Sequence, residues 1–234
     1  VDGWSPIGEP HWPEPFGSDL MARQGLAFEL VDAIARLSRV DWRARGLEGL
    51  GRPDGFHDRQ VDRWYAHLRR FEFREIPGLN DAGDWLRGHR PRNYQPGIMH
   101  GDYQFANVMF HHGGPARLAA IVDWEMGTVG DPLLDLAWVV MGWPDEGEVR
   151  TGGYVDYTGM PNRDDLLDHY ATVSGRDVDD IDYYVVLARF KLAIVLEGGY
   201  ARYVNGGADN PRMEAFGGVV LDLAARAAEL VRTI

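Results

Sequence analysis

Two kinds of pattern divide this chain: long stretches with apolar residues at helical spacing, and short apolar runs that end on a polar residue. Leu20, Ala27, Leu30, Val31, Ile34 and Leu37 recur three and four apart, while Arg23, Glu29, Asp32, Arg36 and Arg39 fall mainly elsewhere. That spacing predicts an amphipathic helix from an N-cap at Ser18 to about Ser38. Val61, Trp64, Tyr65 and Leu68 predict a second helix over 58–71, and Trp85 and Leu86 a third over 80–88. Asp131 followed by Pro132 is a strong helix start, because Pro costs nothing at a first-turn position that has no backbone acceptor. The helix it opens, to about Gly142, is apolar on nearly every side except at Asp135. A carboxylate there needs dedicated donors. Asn162 is expected to cap a helix that ends before Gly175. Asp177 or Asp179 opens another, to about Tyr203, with a possible kink at Gly198-Gly199. A last helix over 211–231 turns Phe216, Val219, Val220, Leu223, Ala227 and Leu230 to one face.

The short runs read as buried strands. Gly97-Ile98-Met99 leads to His100, Asp102 and Asn107, and Ala119-Ala120-Ile121-Val122 leads to Asp123. Apolar runs on either side of His111-His112-Gly113-Gly114-Pro115 predict a hairpin-like pair joined by a turn. Residues 1–17, rich in Pro, Gly and Trp, suit an extended entry segment anchored by Trp4, Trp12 and Phe16. Residues 18–234 form one mostly helical domain around a small β element. Loops are expected over 41–55 and 87–96, the latter carrying Arg87, His89, Arg90 and Arg92. A Gly-rich segment over 144–161 reads equally as a connector or a substrate-side loop. The fold class is α+β, mostly helical.

Composition narrows the partners. The 234 residues carry a net charge of −12, which argues against a nucleic acid and leaves room for a cationic substrate or a metal that offsets local carboxylates. There is no cysteine, so thiolate metal sites, disulfides and a cysteine nucleophile are excluded. The most apolar stretch, from Ile181 to Leu196, is interrupted by Asp182, Arg189 and Lys191 and reads as a core helix rather than a membrane span. A cytoplasmic protein is expected.

His100, Asp102, Asn107 and Asp123 together suggest one chemistry. A carboxylate on a loop after a strand can take a proton from a hydroxyl. An Asn and a second Asp supply the hard oxygen ligands that Mg²⁺ takes, completed by waters and substrate phosphates. A base beside such a metal suggests phosphoryl transfer. A metal hydrolase built on His100, Asp102 and Asp123 would need more nitrogen ligands than this stretch offers.

The spacing His100-Gly101-Asp102…Asn107, then Val122-Asp123-Trp124-Glu125, then Gly130-Asp131-Pro132…Asp135-Leu136-Ala137, resembles the catalytic core of the aminoglycoside phosphotransferase/choline kinase branch of the protein-kinase fold. Phe190-Lys191-Leu192-Ala193…Gly199-Tyr200-Ala201-Arg202-Tyr203 is similar to the sub-branch fused to acyl-CoA dehydrogenases. The resemblance implies an ATP-dependent transfer to a hydroxyl of a small molecule, either aminoglycoside-like or hydroxyacyl-type. It makes Asp102 the base, Asn107 and Asp123 the Mg²⁺ ligands, and His100 and Asp135 the residues that hold the catalytic loop. Met109 and Val122 would floor the adenine, and Glu125 would lie near metal or substrate. It covers only the C-terminal lobe. The Gly-rich phosphate loop and strand lysine of the N-terminal lobe have no counterpart here, so that lobe is an expected partner and the chain alone is expected to be inactive. The competing expectation is a pseudoenzyme or ligand-binding module that keeps the fold without turnover. Trp124 is expected in the core, Asp131 as a helix cap only, and His111 and His112 as exposed turn residues.

Overall fold

The computed structural model describes residues 1–8, 12–144, 154–207 and 209–234. The middle of the Gly-rich 144–161 segment, residues 145–153, therefore lies outside the described residues. Seven α-helices and four short strands are present among the described residues: α1 Leu20–Ser38, α2 Phe56–Leu68, α3 Leu79–Gly88, β1 Gly97–Met99, β2 Val108–Phe110, β3 Leu118–Ile121, β4 Thr128–Gly130, α4 Leu133–Val140, α5 Arg163–Ser174, α6 Ile181–Val204 and α7 Pro211–Thr233. No described helix is long and apolar enough to cross a membrane. The chain divides into two compact units, each discontinuous in sequence.

The first unit joins Val1–Pro53 to Gln95–Val178 and holds α1, the strands, α4 and α5. α1 starts one residue later than its sequence suggests: Asp19, not Ser18, caps it by accepting from Met21 N–H at 2.8 Å. Ser18 turns instead to Glu14, at 2.5 Å. Leu26, Ala27, Leu30, Val31 and Ile34 are buried, whereas Leu20, expected inward, sits at the exposed first turn. Arg23, expected off the core face, is buried. Its guanidinium is satisfied by the carbonyls of Phe16, Gly17 and Thr158 and by Asp156 at 2.7 Å. Burying a charge is tolerable only with such a full set of partners.

Two antiparallel pairs make the β element. β2 and β3 form the expected hairpin, with Val108 opposite Ile121 and Met109 opposite Ala120. β1 pairs with β4, which the patterning did not single out, placing Met99 opposite Thr128. The entry segment runs along β2: Trp4 and Phe110 exchange backbone hydrogen bonds at 3.0 and 2.7 Å, and Trp12 and Phe16 are buried beside them. All eight residues of α4 are buried. The N-cap position of α4 falls on Pro132 rather than on the expected Asp131, which sits one residue earlier and accepts from Leu133 N–H through Oδ1 at 3.2 Å. α5 opens with a capping box between Asn162 and Asp165 and ends at Gly175 in the left-handed region.

The second unit joins Asp54–Tyr94 to Asp179–Ile234 and holds α2, α3, α6 and α7. α2 and α3 begin slightly earlier than expected, each after a left-handed glycine, Gly55 and Gly78. α6 runs unbroken through Gly198-Gly199. Those glycines serve close packing instead: a Cβ on Gly199 would lie 2.9 Å from the Phe216 ring, and one on Gly217 2.7 Å from the Tyr200 ring. The glycine of each helix thus receives an aromatic ring of the other. Val219, expected inward on α7, is exposed, because the contact stripe runs through Gly217, Val220, Ala224 and Ala227. Arg87, expected in the basic loop, lies in the last turn of α3 and pairs with Asp62 and Asp84, and Arg90 beyond the helix lies 3.7 Å from Asp58.

Candidate active site

β1 ends at Met99, and the chain then turns through Gly101 at φ +85°, a conformation closed to most L side chains. A Cβ there would also sit 2.6 Å from the carbonyl oxygen of Met126. Tyr103 anchors the loop. It is fully buried and its hydroxyl donates to the Leu30 carbonyl at 2.9 Å. Burial, with the Asp135 charge adding to it, pushes the Tyr103 phenol well above its ordinary value, so it remains a donor. Tyr103 is buried, whereas Asp102 and Gln104 on either side of it are both half-buried.

Four of the predicted residues meet around this loop. Asp135, buried on α4, accepts from His100 N–H at 2.6 Å and from Gly101 N–H at 2.8 Å. His100 is fully buried, and its two ring nitrogens have opposite roles. Nδ1 faces the Asp102 N–H at 3.3 Å and can only accept there. Nε2 faces the Val122 carbonyl at 2.8 Å and can only donate. The ring is therefore the neutral Nε2–H tautomer. The N–H of Val122 donates to the Asn107 carbonyl at 2.9 Å. His100 and Asn107 thus grip the two sides of the residue that precedes Asp123.

Asn107 Nδ2 donates to the Asp102 carbonyl at 2.7 Å and to Asp102 Oδ2 at 3.0 Å. Both amide hydrogens are committed, which leaves Oδ1 as the acceptor end of the side chain. Asp123 has φ +63° and ψ +57° and is the one non-glycine residue with positive φ among those described. Its carboxylate is exposed and makes no hydrogen bond or ion pair among the described residues. A backbone held in a sparsely populated region with an uncompensated carboxylate is the kind of strain that marks functional sites.

Met109 is half-buried opposite Ala120, and Val122 lies two residues beyond Ala120, with 36% of its surface exposed. Glu125 is exposed. Trp124 is not in the core: it is 42% exposed, stands edge-on to His100 at 5.0 Å and donates its indole N–H to the Ile121 carbonyl. His111 and His112 are exposed at the turn. The contact that sequence reasoning missed is Gln104, whose Nε2 donates to Asp102 Oδ1 at 2.9 Å. Its signal was there: a polar residue two positions from Asp102 across an aromatic residue.

The donor set suits Mg²⁺. Two hard oxygens, from a carboxylate and a carboxamide, are what it takes from protein when phosphates and waters complete its octahedron. Among the described residues no three His, Cys, Asp or Glu side chains converge as a cage for a metal.

The sequence profile of the Phosphotransferase enzyme family matches residues 11–168, which include every residue of this site. The chain belongs to that family. It is 30% identical over 222 residues to Acyl-CoA dehydrogenase family member 11 of Gallus gallus, and 28% identical over 214 residues to that of Homo sapiens. The alignments cover 91% and 89% of this chain but only 28% and 27% of those proteins, so the chain spans about a quarter of the length of these relatives. A solved structure from Ralstonia eutropha, described as a candidate aminoglycoside phosphotransferase, superposes with a TM-score of 0.83 at 29% identity. It covers 97% of this chain and 70% of that one. The fold is thus the mostly helical α+β fold of the protein-kinase-like phosphotransferases.

Proposed function

We propose that this chain carries the base and the metal ligands of a small-molecule kinase that moves the γ-phosphate of ATP to an alcohol. The observation that carries the reading is the pair of hydrogen bonds that Asn107 Nδ2 donates to Asp102, one to its carbonyl and one to its carboxylate. One carboxamide orients the candidate base with its nitrogen and keeps its oxygen for a cation. Membership of the phosphotransferase family supports it.

In this reading Asp102 accepts the proton of the acceptor hydroxyl as that oxygen bonds to the γ-phosphorus and the bond to the β–γ bridging oxygen breaks, releasing ADP. Asn107 and Asp123 would hold Mg²⁺, which would supply positive charge to offset that of the phosphates. His100 fixes the Val122 carbonyl, and with it the approach to Asp123. Asp135 pins the start of the loop. Met109 and Val122 lie under the adenine. A nucleotide-clamping lobe from outside these 234 residues completes the site. The acceptor we favour is a hydroxyacyl thioester rather than an aminoglycoside, because the curated relatives are named as acyl-CoA dehydrogenase family members.

The test is Asp102→Asn in the protein at its natural length, assayed with MgATP and a panel of hydroxylated acceptors that includes hydroxyacyl thioesters. Turnover should fall by about 10²–10⁴-fold, the usual worth of general-base catalysis, with MgATP affinity retained. Unchanged turnover refutes the assignment. Nucleotide binding with no turnover on any acceptor, even before substitution, would favour a binding module.

A further inference from the structure

The carboxylate of Asp102 is clamped from both sides by carboxamides of one short turn. Gln104 donates to Oδ1 at 2.9 Å, and Asn107 donates to Oδ2 at 3.0 Å. The turn itself is closed by Asn107 N–H bonding the Gln104 carbonyl at 2.9 Å. Gln104 enters that turn in extended geometry, at φ −161° and ψ +171°. Tyr103, between Asp102 and Gln104 in the chain, is fully buried and anchors the segment.

We propose that Gln104 is a positioning residue for the phosphoryl-transfer reaction: its carboxamide sets the plane of the Asp102 carboxylate. The inference rests on the assignment of Asp102 as base. With one neutral donor on one oxygen only, an Asp side chain keeps its freedom about χ2, a broad and nearly two-fold torsion. A second donor on the other oxygen removes that freedom. Proton abstraction needs the carboxylate oxygen within hydrogen-bonding reach of the hydroxyl while that hydroxyl faces the γ-phosphorus, so a swinging carboxylate loses productive encounters without weakening nucleotide binding. Asn107 alone cannot serve both purposes. Its nitrogen reaches one carboxylate oxygen and the Asp102 carbonyl, and its oxygen is the end that would face a cation.

Gln104 is half-buried and is not one of the buried core residues, so its replacement should leave the fold intact. Gln104→Ala in the protein at its natural length should lower kcat by about tenfold, since a misplaced group costs rate rather than affinity. KM for MgATP and the melting temperature should be unchanged. Gln104→Glu, the same size without a donor, should be at least as slow, while Gln104→Lys, which restores an N–H, should recover part of the loss.

The deciding measurement is the double variant. In an Asp102→Asn background Gln104→Ala should have no further effect, because a residue that acts only through Asp102 has nothing left to orient. Additive losses would overturn the proposal, as would an unaltered kcat in Gln104→Ala. If Asp102→Asn itself leaves turnover intact, the base assignment fails and takes this inference with it. If Asp102→Asn is slow but Gln104→Ala is not, only the positioning role fails. A second measurement needs no turnover: the side-chain amide protons of Gln104 should exchange slowly by NMR and become fast in Asp102→Ala. Fast exchange in the unsubstituted protein would overturn the clamp.

Discussion

The Asp135 carboxylate receives the backbone N–H groups of His100 and Gly101, one on each oxygen, at 2.6 and 2.8 Å. A side chain from inside the apolar helix α4 thus fixes the first peptides of the catalytic loop. Hydrogen bonds to a charged group are each worth about 1.5–3 kcal/mol. Asp135→Asn keeps the shape but sets an NH₂ against one of the two N–H groups. The expected outcome is a melting temperature lower by several degrees, together with reduced turnover. Native melting with a native rate would show that the pair does nothing.

Asp123 holds a left-handed backbone that costs an ordinary L residue about 1–2 kcal/mol. Asp123→Gly removes that cost and Asp123→Val increases it. The glycine variant should melt well above the valine variant in the absence of nucleotide, and both should lose Mg²⁺-dependent ATP binding. Calorimetry with and without Mg²⁺ checks the two effects separately. Retained Mg²⁺-dependent affinity in either variant would remove Asp123 from the ligand set.

In the second unit, Arg74 makes a bidentate pair with Glu197 at 2.8 and 2.6 Å, and Glu197 is 1% exposed. The Glu197 bond raises the Arg74 guanidinium above its ordinary value. Arg74→Met leaves the carboxylate buried and unpaired, which costs about 3–5 kcal/mol. Chemical denaturation should show that loss, and the double variant Arg74→Met/Glu197→Leu should recover much of it. A double variant as unstable as the single one would mean that packing, not charge, dominates.

Asp156 gives a pH signature. Burial pushes its carboxyl up, but hydrogen bonds from Thr158 and Arg23 outweigh that, and its pKa lies below the ordinary carboxylate value. A folded-state pKa below the unfolded one stabilises above the unfolded value and is lost as pH falls through the folded value. The melting difference between the wild type and Asp156→Asn should therefore be present at pH 7 and shrink below about pH 4. A difference independent of pH would assign the effect to geometry instead.

Helix periods, the Asn162 cap, the β2–β3 hairpin and the cluster His100, Asp102, Asn107 and Asp123 are all legible in the chain, because each depends on neighbours within a few residues. The α1 cap was missed by one position, since Ser18 and Asp19 are equivalent as caps and only the rival Glu14 contact separates them. Arg23 and Trp124 broke the rule that charge faces out and indole faces in. Arg23 is buried because Phe16, Gly17, Thr158 and Asp156 satisfy it, partners up to 135 residues away. Trp124 is exposed because Asp123 turns the chain into the left-handed region just before it.

Read alone, the chain already marks His100, Asp102, Asn107 and Asp123 as the candidate site, since their types and spacing fall on one continuous loop and hairpin. Only the tertiary structure decided how they are aimed: that β1 pairs with β4, that His100 is a neutral donor to Val122, and that Gln104 and Asn107 hold Asp102 from opposite sides. Aim depends on hydrogen bonds whose partners are distant in sequence or hidden in side-chain rotamers, and no local pattern encodes either.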